Sequence, residues 1–285
     1  ANHRKIASGG SVANSMIALQ LLGGKGFYTC KIANDEAGDH YYRDMKAAGL
    51  DCNFDTQIRQ AGHTGKCLAM ITHDADRTMN TFLGISESLS EQELNIEALK
   101  NSEYLYIEGY LMTSPSALHA VKKAKSVAQA YGVRTAISLS DPAIVKYFKA
   151  QFLEVSSEGI DLLFCNREEA LEFCDTHDLE VAKETLTTVA KSFVITCGSR
   201  GSIVFDGNKF IEILPFPMLA VDTLGAGDMY AGAFLAAITQ GYSYELAGKL
   251  ASLASAKVVT QYGPRLSQED AAWVKKQIFE AKQAV

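Results

Sequence analysis

The sequence predicts an α/β fold with a doubly wound, mostly parallel sheet flanked by helices. Strand-like and helix-like segments alternate over most of the 285 residues, and 47% of the residues are hydrophobic, which is enough for a large core. Two β-hairpins interrupt the alternation. The sequence has no internal repeat, low-complexity tract or linker, so we expect one domain over residues 1–285, with a hairpin over about 62–86 inserted as a lid.

The first predicted elements are a helix, a strand and a second helix. Two glycines, Gly9 and Gly10, precede an apolar helical stripe that ends at Gly23 and Gly24, a pattern typical of a loop, a helix and its carboxyl cap. A strand-like run follows over 26–32, and a helix over 39–48 is predicted to end at Gly49.

The lid is predicted from two β-like runs, 64–72 and 77–82. They flank His73, Asp74, Ala75 and Asp76, residue types that favour a turn between antiparallel strands. We therefore expect a hairpin that interrupts the alternation of strands and helices.

The central part of the chain predicts successive strand–helix units. Ser90 and Glu93 form a capping box before the next apolar residues, and Pro115 suits the first position of a helix. The elements expected in order are strand 104–107, helix 115–131, strand 134–139, helix 143–152, strand 161–165, helices 167–174 and 179–190, and strand 193–196. This rhythm indicates parallel strands joined by helices.

The last part of the chain predicts a hairpin followed by helices. The hairpin joins 202–205 to 209–213 around Asp206, Gly207 and Asn208, and the helices are expected over 226–239, 244–260 and 267–281.

Composition excludes several function classes. With 27 basic and 33 acidic residues the net charge is −6, and no basic run occurs, so neither nucleic acid nor an anionic membrane is an expected partner. The most apolar stretch, 219–238, contains Asp222 and Asp228, which argues against a membrane span. Single cysteines without CxxC spacing indicate reduced, mostly buried thiols of a cytoplasmic protein: Cys30, Cys52, Cys67, Cys165, Cys174 and Cys197.

The sequence DTLGAGD, residues 222–228, is the most informative segment. Glycines directly before a helix leave its first N–H groups unobstructed, and those groups with the helix dipole bind anions. Asp228 follows in the first turn, where a carboxylate could take a proton from a hydroxyl that attacks a phosphoryl group. Taken alone, the same residues also fit a tight turn whose aspartate complements the helix dipole.

The sequence GGSVAN, which begins at Gly9, opens the first helix. The glycines allow a close approach of the backbone to a ligand, and Asn14, one turn into the helix, can hydrogen-bond a polyol through its donor and its acceptor. A turn with a helix cap is the structural alternative.

Two further segments follow strands. Asn166 and Glu169, three residues apart, share a helix face and could hold the water molecules of a magnesium ion or a phosphate. The glycine turn over 196–202 suits close approach of the backbone to a nucleotide. A solvated helix cap and an ordinary strand-to-hairpin corner are the alternatives.

The sequence lacks several motifs of other enzyme classes. It has no GxxxxGK[ST] loop, no protein-kinase HRD or DFG set, no complete GxGxxG fingerprint, no HExxH and no GxSxG. Phosphoryl chemistry would therefore have to come from the DTLGAGD turn.

Together these segments resemble the ribokinase-like (PfkB) carbohydrate kinases. DTLGAGD matches the second signature of that family and GGSVAN looks like the first, while residues 166–169 fit its NxxE element and residues 196–201 its TxGxxG turn. The resemblance extends from Gly9 to about Gly263. It implies a ribokinase-like fold with a small β lid, and transfer of the ATP γ-phosphoryl group to a primary hydroxyl.

The resemblance also implies roles for individual residues. Asp228 would be the catalytic base, and the anion hole would be formed by the amides of Gly225, Ala226 and Gly227. The acceptor's hydroxyls would contact Gly10 and Asn14. Mg²⁺, held through water, and the phosphates would be organised by Asn166 and Glu169, and the ATP site would be lined by Thr196, Gly198, Gly201 and Ser252.

Within this family the chain resembles the adenosine-kinase-like branch. Ser11 stands where ribokinases usually carry lysine, and the segments 77–81, 106–110 and 139–142 look like that branch, which would place Tyr110 near a base. The expected acceptor is a nucleoside, foremost the 5′-hydroxyl of adenosine. A ribokinase-type kinase of a pentose or hexose is the alternative.

Two other classes fit the sequence less well. A dehydrogenase with a modified Rossmann turn would lack its fingerprint and acidic partner. A non-catalytic nucleotide-binding homologue is disfavoured because Asp228 and the flanking glycines are intact.

The family comparison yields further expectations. The family's first strand with its substrate-binding aspartate, and its first lid strands, do not occur within 1–285; they are either absent from the protein or precede Ala1 in a longer chain. A monovalent cation such as K⁺ near Asp222 and a homodimer formed through the lid are also expected from relatives.

Overall fold

The computed structural model describes residues 6–71, 77–157 and 159–279. The helices and strands in order are α1 (Ser11–Leu21), β1 (Phe27–Tyr28), α2 (Glu36–Ala47), β2 (Asp51–Cys52), β3 (Thr64–Ile71), β4 (Arg77–Gly84), α3 (Ile96–Lys100), β5 (Tyr104–Glu108), α4 (Pro115–Ala130), β6 (Arg134–Ser138), α5 (Pro142–Ser156), β7 (Leu162–Asn166), α6 (Arg167–Phe173), α7 (Leu179–Thr187), β8 (Phe193–Thr196), β9 (Ser202–Phe205), β10 (Phe210–Ile213), α8 (Ala226–Thr239), α9 (Tyr244–Val258) and α10 (Gln268–Phe279). Within these ranges, no helix combines the length and the apolar character needed to cross a membrane.

These elements belong to two units. The first unit comprises the described residues of Ala1–Glu87 and Leu214–Val285, and the second unit is Ser88–Ile213. The expectation of one domain over residues 1–285 stays a prediction.

A six-stranded sheet organises the second unit. Its strand order is β10-β9-β8-β7-β6-β5, in which β5 to β8 are parallel, β9 is antiparallel to β8, and β10 is antiparallel to β9. The strands β7 and β8 are buried apolar runs, as expected for parallel strands covered on both faces. The carboxyl ends of the parallel strands therefore share one edge, and the prediction of a mostly parallel α/β sheet is confirmed.

Close packing of α1 against α8 organises the first unit. A Cβ atom on Gly232 of α8 would lie 2.2 Å from the carbonyl oxygen of Ser15 and 2.8 Å from the Cβ of Ala18, so the two helix backbones are in contact. At the carboxyl ends, Gln240 Nε2 donates to the Leu22 carbonyl at 3.4 Å. The two helices therefore run in the same direction, although more than 200 residues separate them.

The strands β3 and β4 form the antiparallel hairpin predicted as the lid. Its first residue, Thr64, donates to Asp35 through its N–H at 2.9 Å and its hydroxyl at 2.5 Å. Burial would raise the pKa of Asp35, but hydrogen bonds from Thr64 and Gly38 outweigh it and lower this pKa to about 2. The predicted turn, residues 73–76, lies outside the described residues.

Several element boundaries differ from the sequence expectation, among them the ends of α5, α7 and β4, and two of the differences have a clear cause. The strand expected over 26–32 is reduced to β1, because the Asn53 side chain hydrogen-bonds the N–H and the C=O of Cys30 in place of a strand. The helix expected from residue 39 begins at Glu36, because Asp35 caps it by accepting from the Gly38 N–H. The end of the helix expected over 267–281 lies outside the described residues.

We expect Gly232→Ala to lower the free energy of unfolding by about 1–3 kcal/mol, because its new Cβ would overlap the Ser15 carbonyl oxygen. Urea unfolding followed by circular dichroism measures this change. The control is Gly227→Ala in the same helix, where a Cβ would meet no atom within 4 Å. Equal stability of the two variants would contradict the close contact.

Candidate active site

The first glycine-rich loop sets the start of α1. Gly10 adopts a φ of 107°, a region that glycine enters without steric cost, and its carbonyl accepts the Asn14 N–H at 2.9 Å. Ser11 and Asn14 follow one turn apart on the same helix face. The loop thus presents two polar side chains at the amino end of α1.

The second glycine-rich turn sets the start of α8. Gly225 is left-handed with a φ of 75°, and a Cβ there would lie 2.3 Å from the Cβ of Pro264. No side chain of the described residues caps α8, and the space at Gly227 is open. The N–H groups of a first helical turn have no partner within the helix, although the Ala226 N–H donates to the Thr223 carbonyl at 3.4 Å. The anion cradle expected at Gly225, Ala226 and Gly227 stays a prediction.

The structure brings Ser11, Asn14 and Asp228 into contact. The Ser11 hydroxyl donates to Asp228 Oδ1 at 2.8 Å, and Asn14 Nδ2 donates to Asp228 Oδ2 at 2.8 Å. One donor at each oxygen fixes the plane of the carboxylate. The Oδ1 atom of Asn14 is buried and has no hydrogen-bond partner among the described residues, so it can accept from a ligand hydroxyl.

Asp222 organises the turn before α8. It is 1% exposed, its Oδ1 accepts the Leu224 N–H at 2.9 Å, and its Oδ2 accepts the Gly263 N–H at 2.9 Å. Both carboxylate oxygens therefore bind backbone amides, and the expected cation near Asp222 stays a prediction.

Asn166 and Glu169 form a reciprocal cap at the start of α6. Asn166 Oδ1 accepts the Glu169 N–H at 2.8 Å, while Glu169 accepts the Asn166 N–H at 2.9 Å and the Asn166 Nδ2 at 2.7 Å. Burial raises the pKa of Glu169 to about 7, although the Asn166 hydrogen bond opposes the shift. Among the described residues, no three His, Cys, Asp or Glu side chains cluster as metal ligands.

The glycine turn after β8 lies at the same sheet edge as Asn166. Thr196 pairs with Asn166 in the register of β7 and β8. Gly198 has a φ of 58° with open space around it, and the Gly201 N–H donates to the Gly198 carbonyl at 3.1 Å. The backbone at Gly198 is exposed, whereas Gly201 is buried. Ser252, by contrast, is in the first unit, where its hydroxyl donates to the Leu214 carbonyl at 3.4 Å.

Tyr110 lies after β5 at this edge, in a short 3₁₀ segment, and is 39% exposed. The preceding Gly109 donates its N–H to the Ser140 hydroxyl at 2.8 Å. Ser140 has a φ of 72°, unusual for a residue other than glycine. Sequence reasoning missed this support, because nothing in the residue type of Ser140 predicts that conformation.

The predicted site residues thus form two groups. In the first unit, α1 and α8 bring together the predicted acceptor and phosphoryl residues. In the second unit, three predicted contacts lie at the sheet edge where the parallel strands end. Asn166 and Thr196 are the last residues of β7 and β8, and Tyr110 comes shortly after β5. Their functional roles stay predictions.

Comparison with known proteins identifies similar sequences and structures. The family profile described as pfkB family carbohydrate kinase matches residues 1–271. The adenosine kinase of Sinorhizobium meliloti is 34% identical, with a TM-score of 0.90 over 98% of this chain and 84% of that one. A probable sugar kinase of Rhizobium etli CFN 42 is 32% identical, with a TM-score of 0.91 over 95% of this chain and 82% of that one. A candidate ribokinase II of E. coli in complex with ATP and Mg²⁺ shares the fold, with 22% identity and a TM-score of 0.84 over 97% of this chain and 92% of that one.

The raised pKa of Glu169 predicts a pH-dependent stability. Folded Glu169 keeps its proton up to a pH of about 7, whereas its ordinary pKa is 4.5, so the free energy of unfolding should fall as pH rises between these values. We expect Glu169→Gln to flatten this decrease in urea unfolding measured from pH 4.5 to 8. Glu184→Gln, which changes an exposed glutamate of α7 that does not contribute to the pKa shift of Glu169, should keep the wild-type slope. The same slope in both variants would contradict the assignment.

Proposed function

Because the chain belongs to the pfkB family of carbohydrate kinases, phosphotransferases with an alcohol group as acceptor, we propose that it transfers the γ-phosphoryl group of ATP to the 5′-hydroxyl of adenosine. The observation that carries this proposal is the contact of Asp228 with Ser11 and Asn14 at the amino end of α8. It supports the proposal because a candidate base then lies beside polar groups that could bind an alcohol, at a helix end whose N–H groups could bind an anion.

Asp228 acts as the general base in this proposal. It takes the proton of the acceptor hydroxyl while the hydroxyl oxygen bonds to the γ-phosphorus and the bond from that phosphorus to the ADP oxygen breaks. The contacts from Ser11 and Asn14 keep the carboxylate oriented toward the acceptor. The amides of Gly225, Ala226 and Gly227 stabilise the charge that develops on the transferred group.

The residues at the sheet edge of the second unit fit ATP and Mg²⁺. Mg²⁺ neutralises phosphate charge when it is bound, and it binds carboxylates through water readily. The Glu169 oxygens each accept hydrogen bonds from Asn166 and retain further lone pairs, so Glu169 can accept from metal-bound water. The exposed backbone at Gly198 suits the nucleotide, and the further proposed contacts are Thr196, the buried Gly201 and Ser252.

Two observations favour a nucleoside acceptor. Ser11 stands where ribokinases usually carry lysine, and Tyr110, a partly exposed aromatic residue, is the proposed contact for a flat base. The S. meliloti adenosine kinase is similar over nearly the whole chain. A sugar kinase is the second candidate, because the R. etli protein is almost equally similar.

We also propose a monovalent cation near Asp222 and a homodimer formed through the lid. The buried Asp222 carboxylate supplies negative charge beside the α8 turn, and a K⁺ titration of activity tests the first proposal. One face of the lid hairpin exposes Leu68, Met70 and Phe82, which a second copy could cover. Equilibrium sedimentation tests the second proposal, and a monomer would contradict it.

We expect adenosine to exceed ribose in kcat/KM, because a base gains stacking that free ribose lacks. An ADP-release assay of the full-length protein over nucleosides, pentoses and hexoses measures the ratio. A ratio that favours ribose would overturn the nucleoside assignment and leave the kinase class standing.

We expect Asp228→Asn to lower kcat by about 10²- to 10⁴-fold, because the variant loses the base. It should stay folded, since an asparagine can accept from Asn14 and donate to the Ser11 hydroxyl. Steady-state kinetics and thermal melting measure both effects. The control is Asp270→Asn, which changes another first-turn aspartate of the first unit. A near-normal kcat with a lowered Tm would show that Asp228 only complements the helix dipole.

A further inference from the structure

Arg265 makes an ion pair beside the first glycine-rich loop. Its Nη1 donates to Asp44 Oδ2 at 2.7 Å, and its Nη2 donates to the Ser8 carbonyl. The same Asp44 oxygen accepts the Ser8 N–H at 3.1 Å. Both backbone groups of Ser8, a buried residue, are therefore held by this pair.

The pair is only partly exposed to solvent, and 28% of the Asp44 side chain is accessible. Although burial acts in the opposite direction, hydrogen bonds from Ser8 and Arg265 lower the pKa of Asp44. The Arg265 side chain is 14% exposed. Removing one member of such a pair leaves the other charge poorly compensated, so the pair constrains the local geometry strongly.

The Arg265–Asp44 pair restrains the loop before α1, which carries the proposed acceptor residues. Ser8 is followed by Gly9, whose carbonyl accepts the Tyr41 hydroxyl at 3.0 Å, and Tyr41 lies one turn before Asp44 on α2. The loop is thus tied at Ser8 and Gly9 immediately before Gly10 and the start of α1. These ties fix where α1 presents its polar first turn.

The segment that carries Arg265 also restrains the turn before α8, where the phosphoryl group is proposed to bind. Pro264, which precedes Arg265, packs so closely on Gly225 that no side chain fits there. Gly263 donates its N–H to Asp222, whose other oxygen holds the Leu224 N–H. The segment 263–265 therefore contacts the turn before α8 at one end and the loop before α1 at the other.

We propose that Arg265 is a positioning residue, which holds the two glycine-rich turns in one arrangement and thereby aligns the acceptor hydroxyl with the phosphoryl group. This inference rests on the proposed function. In this proposal Arg265 does not contact Asp228 or the anion cradle itself. It acts through its hydrogen bond to Ser8 and through its chain neighbour Pro264.

The kinetic test compares two ion-pair deletions in the first unit. Arg265→Ala should lower kcat/KM for the acceptor by about tenfold or more, because misaligned reacting groups lose rate steeply. The KM for ATP should change less than about twofold, because the proposed ATP contacts lie mostly in the second unit. The control, Lys257→Ala, removes a 3.0 Å side-chain pair with Asp270 of α10 and should keep wild-type kinetics.

A merely structural role would give a lowered Tm with wild-type kinetics, and that result would overturn the proposal. If Arg265→Ala does not fold, the acceptor kinetics of Arg265→Lys test the proposal instead. A lysine can hydrogen-bond either Asp44 or the Ser8 carbonyl, but it lacks the paired N–H donors of a guanidinium group that bind both at once. We therefore expect a loss of kcat/KM for the acceptor that is smaller than in Arg265→Ala. Wild-type kinetics in a folded Arg265→Lys would then overturn the proposal.

Hydrogen exchange gives a readout that needs no turnover. Arg265→Ala should speed amide exchange in peptides that cover residues 8–14 and 222–228, whereas Lys257→Ala should speed it in neither. Faster exchange confined to 263–266 would overturn the proposal. A wild-type protein that phosphorylates no alcohol would refute the proposed function, and the exchange result would still decide whether Arg265 positions both turns.

Discussion

The contact between α1 and α8 at Gly232 is the constraint on which the candidate site depends. Two backbones that approach this closely leave no freedom for one helix to slide along the other. One turn before that contact on each helix, Ser11 meets Asp228. The position of the proposed base relative to Ser11 therefore depends on a helix packing contact as well as on the glycine turns that precede the two helices.

The sequence predicted the fold class because the patterns that define it are local. Apolar periodicity located α8 and β8 to the residue, and glycines marked the ends of several helices. The ribokinase-like fold is confirmed by structures that align with TM-scores of 0.90 and 0.91. The length of β1 could not be predicted, because a distant side chain, Asn53, takes the hydrogen bonds of Cys30.

The sequence identified candidate site residues where glycines precede a helix, because the glycines and the polar residues of the first helical turn are neighbours in the chain. It did not identify the hydrogen bonds that join Ser11 and Asn14 to Asp228, because these partners are more than 200 residues apart. Arg265 was missed for the same reason: its role depends on Ser8 and Asp44, and an arginine near a chain's end carries no signal of them.

The common direction of α1 and α8 has an electrostatic consequence. Both amino ends, each with the partial positive charge of about half an elementary unit that a helix carries there, meet at the same place. Two like poles repel each other unless negative charge lies between them, and Asp228 supplies one such charge. The helix directions would therefore favour an anion at this place, as the proposed function requires, independently of any basic side chain. This attraction suits a protein whose net charge is −6, because a local field can draw in a polyanion that the whole molecule would repel.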